Sequence, residues 1–418
     1  MRVLIVGAGP AGSVAGLLLA RSGHEVVLVD RAQFPRDKAC GDVIGPLALA
    51  ALDQIGVDLS AYQHRIGSMW LGFEGREMLM PARPGLGHRG FGLTIRRREF
   101  DDLLYRQALS EGATAKLGVI GGVERCGDRL RAKIGDRSEE FDVVVGADGA
   151  NSSVARSMSM VDPKRVLLGF ALRRHLTGVT QINRVDLLLE SGSVATPGYG
   201  WVFDQGDERL NLGIGIGVGS DRSRARGARE LLDLYQQELV TRGIISVSGS
   251  HQELGGWLKM GLIGTRCASD GVYLVGDAAG LVNPLQGEGI AGALVSASLC
   301  ARVIDRFGPD GAAAYRSAIH DHFGDFLSTG YFAQALALEH PKVARVAMRT
   351  LVSAGSRSER IASAWGIFWN DLTQYSGPQP GAKAAKVPIL TTTIAPTPTD
   401  QPITLRLSTL YLVPISRT

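Results

Sequence analysis

Apolar and polar positions along this 418-residue chain follow two rhythms in turn. The first segment, Arg2–Val6 (RVLIV), is an apolar run of strand length; Gly7-Ala8-Gly9-Pro10-Ala11-Gly12 breaks it, and SVAGLLLARSG follows with helical spacing. A second apolar strand, Glu25–Val29, ends in Asp30. Helical patterns recur at Pro46–Ile55 and from Thr94 to about Gly112, where Leu103, Leu104 and Ala108 form the stripe expected to be buried. Strands are predicted near 115–124 and 130–134, and a buried one from Phe141 runs into a turn at Asp148-Gly149. Residues from about 60 to 92 carry the short apolar runs MWLGF and EMLMP and are expected to cover a site.

Beyond Leu167 the period becomes two, with strands predicted at Val166–Leu172, Arg184–Leu189, Gly200–Phe203 and Leu210–Val218. Tyr199, Trp201 and Phe203 alternate, so one face of their strand is aromatic; core packing and a ligand wall both fit that pattern. Arg229–Thr241 has the spacing of an amphipathic helix, and the chain returns through Leu258–Gly264 to VYLVGDAAGLVNPLQGEGI at Val272–Ile290. There an apolar strand meets a small-residue turn at Gly276-Asp277, and Gly287 and Gly289 open a helix. Helices dominate to about Leu372, after which Pro and Thr prevail and a poorly ordered tail is expected at 376–418.

Strand-helix alternation at the start and consecutive strands later imply an α/β fold, a doubly wound nucleotide domain with an inserted antiparallel sheet. The expected division is 1–59, 93–160 and 265–325 for the nucleotide domain, 60–92 and 161–264 for a substrate domain, and 326–375 for a helical cap.

Composition narrows the class. A net charge of +4, from 45 basic and 41 acidic residues, gives no footprint for nucleic acid, and the arginines of 222–229 read as a solvated face. Cys40, Cys126, Cys267 and Cys300 lack the short pairings of zinc or redox dithiol sites, so no metal is expected and a reducing cytoplasm fits. The chain begins on a strand rather than a signal segment, and no run of 18 apolar residues occurs. Oligomeric state leaves no mark in the sequence. Late helical positions Phe326, Leu327, Tyr331, Phe332, Trp365, Phe368 and Trp369 suit either a packed cap or a face against lipid.

The chemistry begins at the glycine turn. Strand, glycines, helix, second strand and terminal acid together form a dinucleotide fingerprint: Gly7 permits the turn, Gly9 lets backbone approach a pyrophosphate, Gly12 lets helix and strand pack, and Asp30 can accept from ribose hydroxyls. Asp148 is a second nucleotide-contact candidate. One of Arg96, Arg97 and Arg98 can reach a phosphate or a cofactor edge. Cys40, taken by itself, reads more readily as a packed thiol than a reactive one.

Five motifs in order, GAGPAG at Gly7, PRDKACGD at Pro35, RRREFDDLL at Arg96, DVVVGADGANSSVAR at Asp142 and GDAAGLVNPLQGEGI at Gly276, resemble the geranylgeranyl reductase family of para-hydroxybenzoate hydroxylase-like flavoproteins over about the first 370 residues. The likeness is greatest to its actinobacterial isoprenoid and menaquinone reductases. It implies a Rossmann-like domain binding FAD, with Gly7, Gly9, Ala11 and Gly12 on the pyrophosphate, Asp30 on the ribose, and Arg97 near the cofactor, Arg98 being the alternative in register. It places Asp277 on the ribityl chain, Gly287, Gly289 and Ile290 at the flavin N1/C2 carbonyl, and Cys40-Gly41 close to the ring. PGYGWVF matches the family's cavity pattern Tyr-x-Trp-x-Phe-Pro through Phe203, making Tyr199, Trp201 and Phe203 substrate-binding candidates; Asp204 stands where the family has Pro.

The function implied is saturation of polyprenyl C=C bonds by hydride from flavin N5, with NADPH or another reduced carrier as electron donor and peripheral contact with the membrane that holds the substrate. Cys40 and Tyr199 are the candidates for the proton donor. The alternative is an FAD-dependent monooxygenase hydroxylating an aromatic or polyketide substrate, since Asp148-Gly149 occurs there too. The halogenase pattern Trp-x-Trp-x-Ile-Pro is absent from the aromatic strand.

Overall fold

The computed structural model describes residues 1–81, 90–188, 190–191, 194–195, 197–362, 385–389 and 408–412. Its first sheet has the strand order Ala268–Ser269, Val272–Leu274, Val143–Gly146, Arg2–Val6, Glu25–Asp30, Thr114–Leu117. All neighbours run parallel except the two-residue edge strand Ala268–Ser269. Val3, Leu4, Ile5, Val143, Val144 and Val145 are fully buried, as expected of strands covered on both faces. After Arg2–Val6 the chain winds through helix Pro10–Arg21 to Glu25–Asp30 on one side, whereas Val143–Gly146 lies on the other. The switch opens a crevice beyond the carboxyl ends of these strands, where Gly7 and Asp148 sit.

The second sheet has seven strands, ordered Ile245–Met260, Leu167–Thr180, Arg209–Gly219, Gly198–Asp204, Arg184–Leu187, Ser68–Phe73, Arg76–Pro81. It differs from the expected antiparallel sheet at one seam: Arg184–Leu187 pairs parallel with Ser68–Phe73. The two come from distant parts of the chain, so no hairpin dictates their direction. A second difference is Ile245–Met260, a 16-residue strand that the sequence pattern did not mark. It is an edge strand whose first half is largely exposed, so pairing with Leu167–Thr180 rather than an apolar alternation sets its course.

Strand Arg209–Gly219 shows how the sheet serves two layers. Leu212, Ile214, Ile216 and Val218 pack on Leu231, Leu232, Tyr235 and Leu239 of helix Ala228–Thr241. The alternate positions, Gly213, Gly215 and Gly217, carry no side chain, and Trp201, Tyr199 and Gln334 fill the space over them on the opposite face.

Helices Ile290–Phe307, Ala312–Glu339 and Pro341–Gly355 follow. Pro341 lacks the N–H that would continue the longer helix and starts the next one. Trp365, Phe368 and Trp369 lie outside the described residues. Residues 373–418 form a separate unit, in which Ala385–Ile389 and Ser408–Leu412 pair antiparallel; the rest of the segment expected to be a poorly ordered tail is outside the described residues.

Candidate active site

At the glycine turn, Gly7 has φ 99° and a Cβ there would lie 3.0 Å from the Asp148 Cα. A Cβ on Gly12 would lie 2.9 Å from the Gly7 carbonyl carbon, so helix and turn approach only because both residues are glycine. Gly9 faces the Arg36 guanidinium, 3.5 Å from where its Cβ would be. Helix Pro10–Arg21 starts there with a glycine N-cap and Pro10 in its first turn, so its positive end carries no side-chain cap. Asp30 accepts the Ala8 and Ala32 N–H groups at 2.8 and 2.9 Å, one per oxygen, and each oxygen keeps a further lone pair. Beside it a cavity of about 380 Å³ is lined by Leu28, Phe34, Tyr105 and Lys116, with the Phe34 and Tyr105 rings stacked at 4.4 Å. A bare cradle, an uncapped helix end and an acid beside a flat aromatic wall fit the adenosine diphosphate half of FAD.

Asp148 serves first as a helix cap: its Oδ2 accepts the Ser153 N–H and hydroxyl at 2.6 and 2.8 Å. Its buried Oδ1 has no partner among the described residues.

The other glycine motif meets the first. A Cβ on Gly276 would lie 3.3 Å from Ala11, and the Gly276 N–H donates to the Ser296 hydroxyl at 3.0 Å. Asp277 has Lys38 Nζ at 4.0 Å, and its Oδ1 lies 3.3 Å from the position of a Gly289 Cβ. Gly287 has φ 67°, and the Tyr199 hydroxyl passes over it to donate to the Gln286 carbonyl at 2.5 Å. Buried Lys259 donates to the Ala278 carbonyl at 2.5 Å; burial pushes its ammonium down to about 8, against the pull of Asp148 and Asp277.

The Cys40 loop closes the site. Asp42, fully buried at φ 61°, accepts the Arg97 N–H at 3.1 Å, Asn211 Nδ2 at 2.7 Å, Gln205 Nε2 at 2.8 Å and His175 Nε2 at 2.8 Å. Asn211 also donates to the Cys40 carbonyl and accepts the Trp201 indole N–H, at 2.8 and 2.9 Å. A Cβ on Gly41 would lie 3.1 Å from the Phe203 ring. The loop is thereby held against the aromatic strand. Burial pushes the Cys40 thiol up despite the neighbouring Arg97 guanidinium, so it is a neutral thiol that can donate a proton rather than a thiolate nucleophile.

Of the three arginines only Arg97 reaches the site; Arg98 is exposed and Arg96 pairs with Glu99. Arg97 is itself held by Asp101 through two bonds of 2.6 and 2.7 Å, and Arg36 joins the same carboxylate at 2.8 Å. Tyr199 is partly exposed, whereas Trp201 and Phe203 are buried and back the wall rather than face an open cavity. Asp42, Asp101, Asn211, Lys259 and Glu288 escaped the sequence reading. A usable signal existed for three of them, because Asp42, Asp101 and Glu288 stand inside the matched motifs.

The FAD binding domain family matches residues 1–166. The chain is 32% identical over 350 residues to a menaquinone reductase of Mycolicibacterium smegmatis, covering 80% of this chain and 83% of that protein. It is 29% identical over 322 residues to digeranylgeranylglycerophospholipid reductase 2 of Methanopyrus kandleri, covering 72% and 76%. In fold it is similar to a geranylgeranyl bacteriochlorophyll reductase-like protein of Thermoplasma acidophilum, with a TM-score of 0.71 at 20% identity over 88% of this chain and 95% of that one. The chain belongs to the geranylgeranyl reductase family of FAD-dependent oxidoreductases.

Proposed function

We propose that this protein saturates C=C bonds in a polyprenyl chain of the geranylgeranyl or menaquinone type. The observation that carries this reading is the aromatic strand, which links the two ends of the reactive region: Tyr199 meets the Gln286-Gly287 turn, and Trp201 and Phe203 meet the Cys40-Gly41 loop. Bound FAD supplies a two-electron hydride donor. An isolated alkene is unactivated, so the residues around it must position it closely and keep water out. The partly exposed Tyr199 ring, seated on Gly215 and beside buried Trp201, offers an apolar surface for that purpose. The Cys40 thiol and the Tyr199 phenol both hold protons at neutral pH, since burial pushes each pKa up. NADPH or another reduced carrier completes the cycle.

Among the described residues no helix is long and apolar enough to cross a membrane. Peripheral contact at the cytoplasmic face fits a lipid substrate, and exposed Phe332, Leu336, Val343 and Val346 supply the apolar surface for it. Anaerobic turnover of prenylated substrates by the reduced holoenzyme, read by mass, tests the reading. A product heavier by two hydrogens is expected; with oxygen admitted, a product heavier by one oxygen would establish a monooxygenase instead.

A further inference from the structure

Glu288 stands where the turn after Asn283 enters the 18-residue helix Ile290–Phe307. Its Oε1 accepts the Ala291 N–H at 2.7 Å, and its carbonyl accepts the Asn283 N–H at 2.8 Å. The carboxylate therefore caps the same helix end that the family resemblance directs toward the flavin carbonyl region. A second carboxylate, Asp277, flanks Gly289 from the other side, and the Tyr199 phenol lies over neighbouring Gly287. The nearby cations attend to Asp277 and its turn: Lys38 is 4.0 Å from Asp277, and Lys259 donates to the Ala278 carbonyl.

Two opposing influences meet at this carboxylate. The Ala291 and Ile290 N–H groups favour its charge, while burial first and Asp277 second oppose it, and the balance pushes Glu288 up to about 7. Extra negative charge arriving at this helix end would shift the balance further toward the acid.

We propose that Glu288 is the proton-holding group of the site, taking up a proton from solvent when electrons enter the bound flavin and releasing it for transfer to the alkene. The balance is complete: one alkene carbon receives hydride from the reduced cofactor, the other receives the Glu288 proton through Tyr199 or water, the C=C π bond is lost, and Glu288 returns to carboxylate. A nicotinamide-class donor then restores the two electrons. This inference rests on the reading of the cleft as a flavin site, which the visible spectrum of purified protein tests separately.

The experiment is a spectroelectrochemical titration of bound flavin in the holoenzyme across the neutral and mildly alkaline range. Above pH about 7 the wild type takes up one more proton per flavin reduced than Glu288→Gln, seen as a steeper fall of midpoint potential with pH. Equal slopes in the two proteins overturn the proposal. Should the variant fail to hold FAD, infrared difference spectra of the wild type decide: reduction must bring up the C=O band of a protonated carboxyl, and its absence overturns the assignment.

Discussion

At the residue scale, the legible positions were those whose chemistry is local. Gly7, Gly9, Gly12 and Asp30 act within one strand-turn-helix-strand unit, so spacing revealed them. Asp42 was hidden because its partners come from positions 97, 175, 205 and 211, which only the folded chain assembles. Buried pairs carry predictions of their own. Arg97→Ala leaves the fully buried Asp101 with Arg36 as its remaining partner, and an unfolding loss of about 3 kcal/mol is expected in denaturant titration. Lys259 gives a pH signature. Its folded pKa is about 8 against 10.5 when unfolded, so the burial cost is full below pH 8. As pH rises from 8 to 10.5 the folded form sheds the proton first, and wild-type stability climbs relative to Lys259→Met by up to about 3 kcal/mol. Parallel denaturation curves at the two ends of that window check this; an unchanged difference would show that the ammonium is not buried as described.

At the element scale, the period-two runs were readable because side chains alternate between a helix-covered face and a cavity face. LGIGIGVG shows this most plainly, with its branched residues under helix Ala228–Thr241 and Gly213 and Gly215 beneath the Trp201 and Tyr199 rings of the paired strand. Tyr199 pairs with Gly215 and Trp201 with Gly213, so the rings lie over backbone that bears no Cβ. Ile245–Met260 was unreadable for the converse reason, an exposed edge strand having no buried alternation to display. Gly213→Val would place methyl groups where the Trp201 indole lies, the Cβ itself falling within 2.6 Å of ring carbons. We expect a modest destabilisation of about 1–3 kcal/mol, retained FAD, because the glycine cradle is in the other sheet, and loss of polyprenyl turnover. Flavin content and turnover measured on the same preparation check it; normal turnover would remove the aromatic strand from the site.

At the scale of the whole molecule, the motifs were visible one by one, but their meeting was not. Gly7, Cys40, Arg97, Asp148 and Gly276 lie far apart in the chain, and the order of strands in the first sheet together with the Asp42 network gathers them. The long helix Ala312–Glu339 extends this assembly outward. At Gly330 it meets Pro284 of the Gly276–Ile290 segment, with 3.2 Å from a Cβ position to the proline ring, while Gln334 reaches over Gly217. Phe332 and Leu336, each two residues beyond Gly330 and Gln334 respectively, are exposed, and Val343 and Val346 continue the apolar surface onto the next helix. A helix that touches the site at one end of its surface and presents apolar side chains nearby suits delivery of a prenyl chain from a bilayer. Removing that surface should affect delivery without affecting chemistry. For Val343→Ser with Val346→Ser, we expect weaker flotation with anionic vesicles and a several-fold higher KM for vesicle-embedded long-chain substrate, from the loss of buried apolar area. The kcat on a short, water-soluble prenyl alcohol should be unchanged. Equal losses with both substrates would mean that these valines support the fold, and unchanged flotation would mean that the membrane meets a different face.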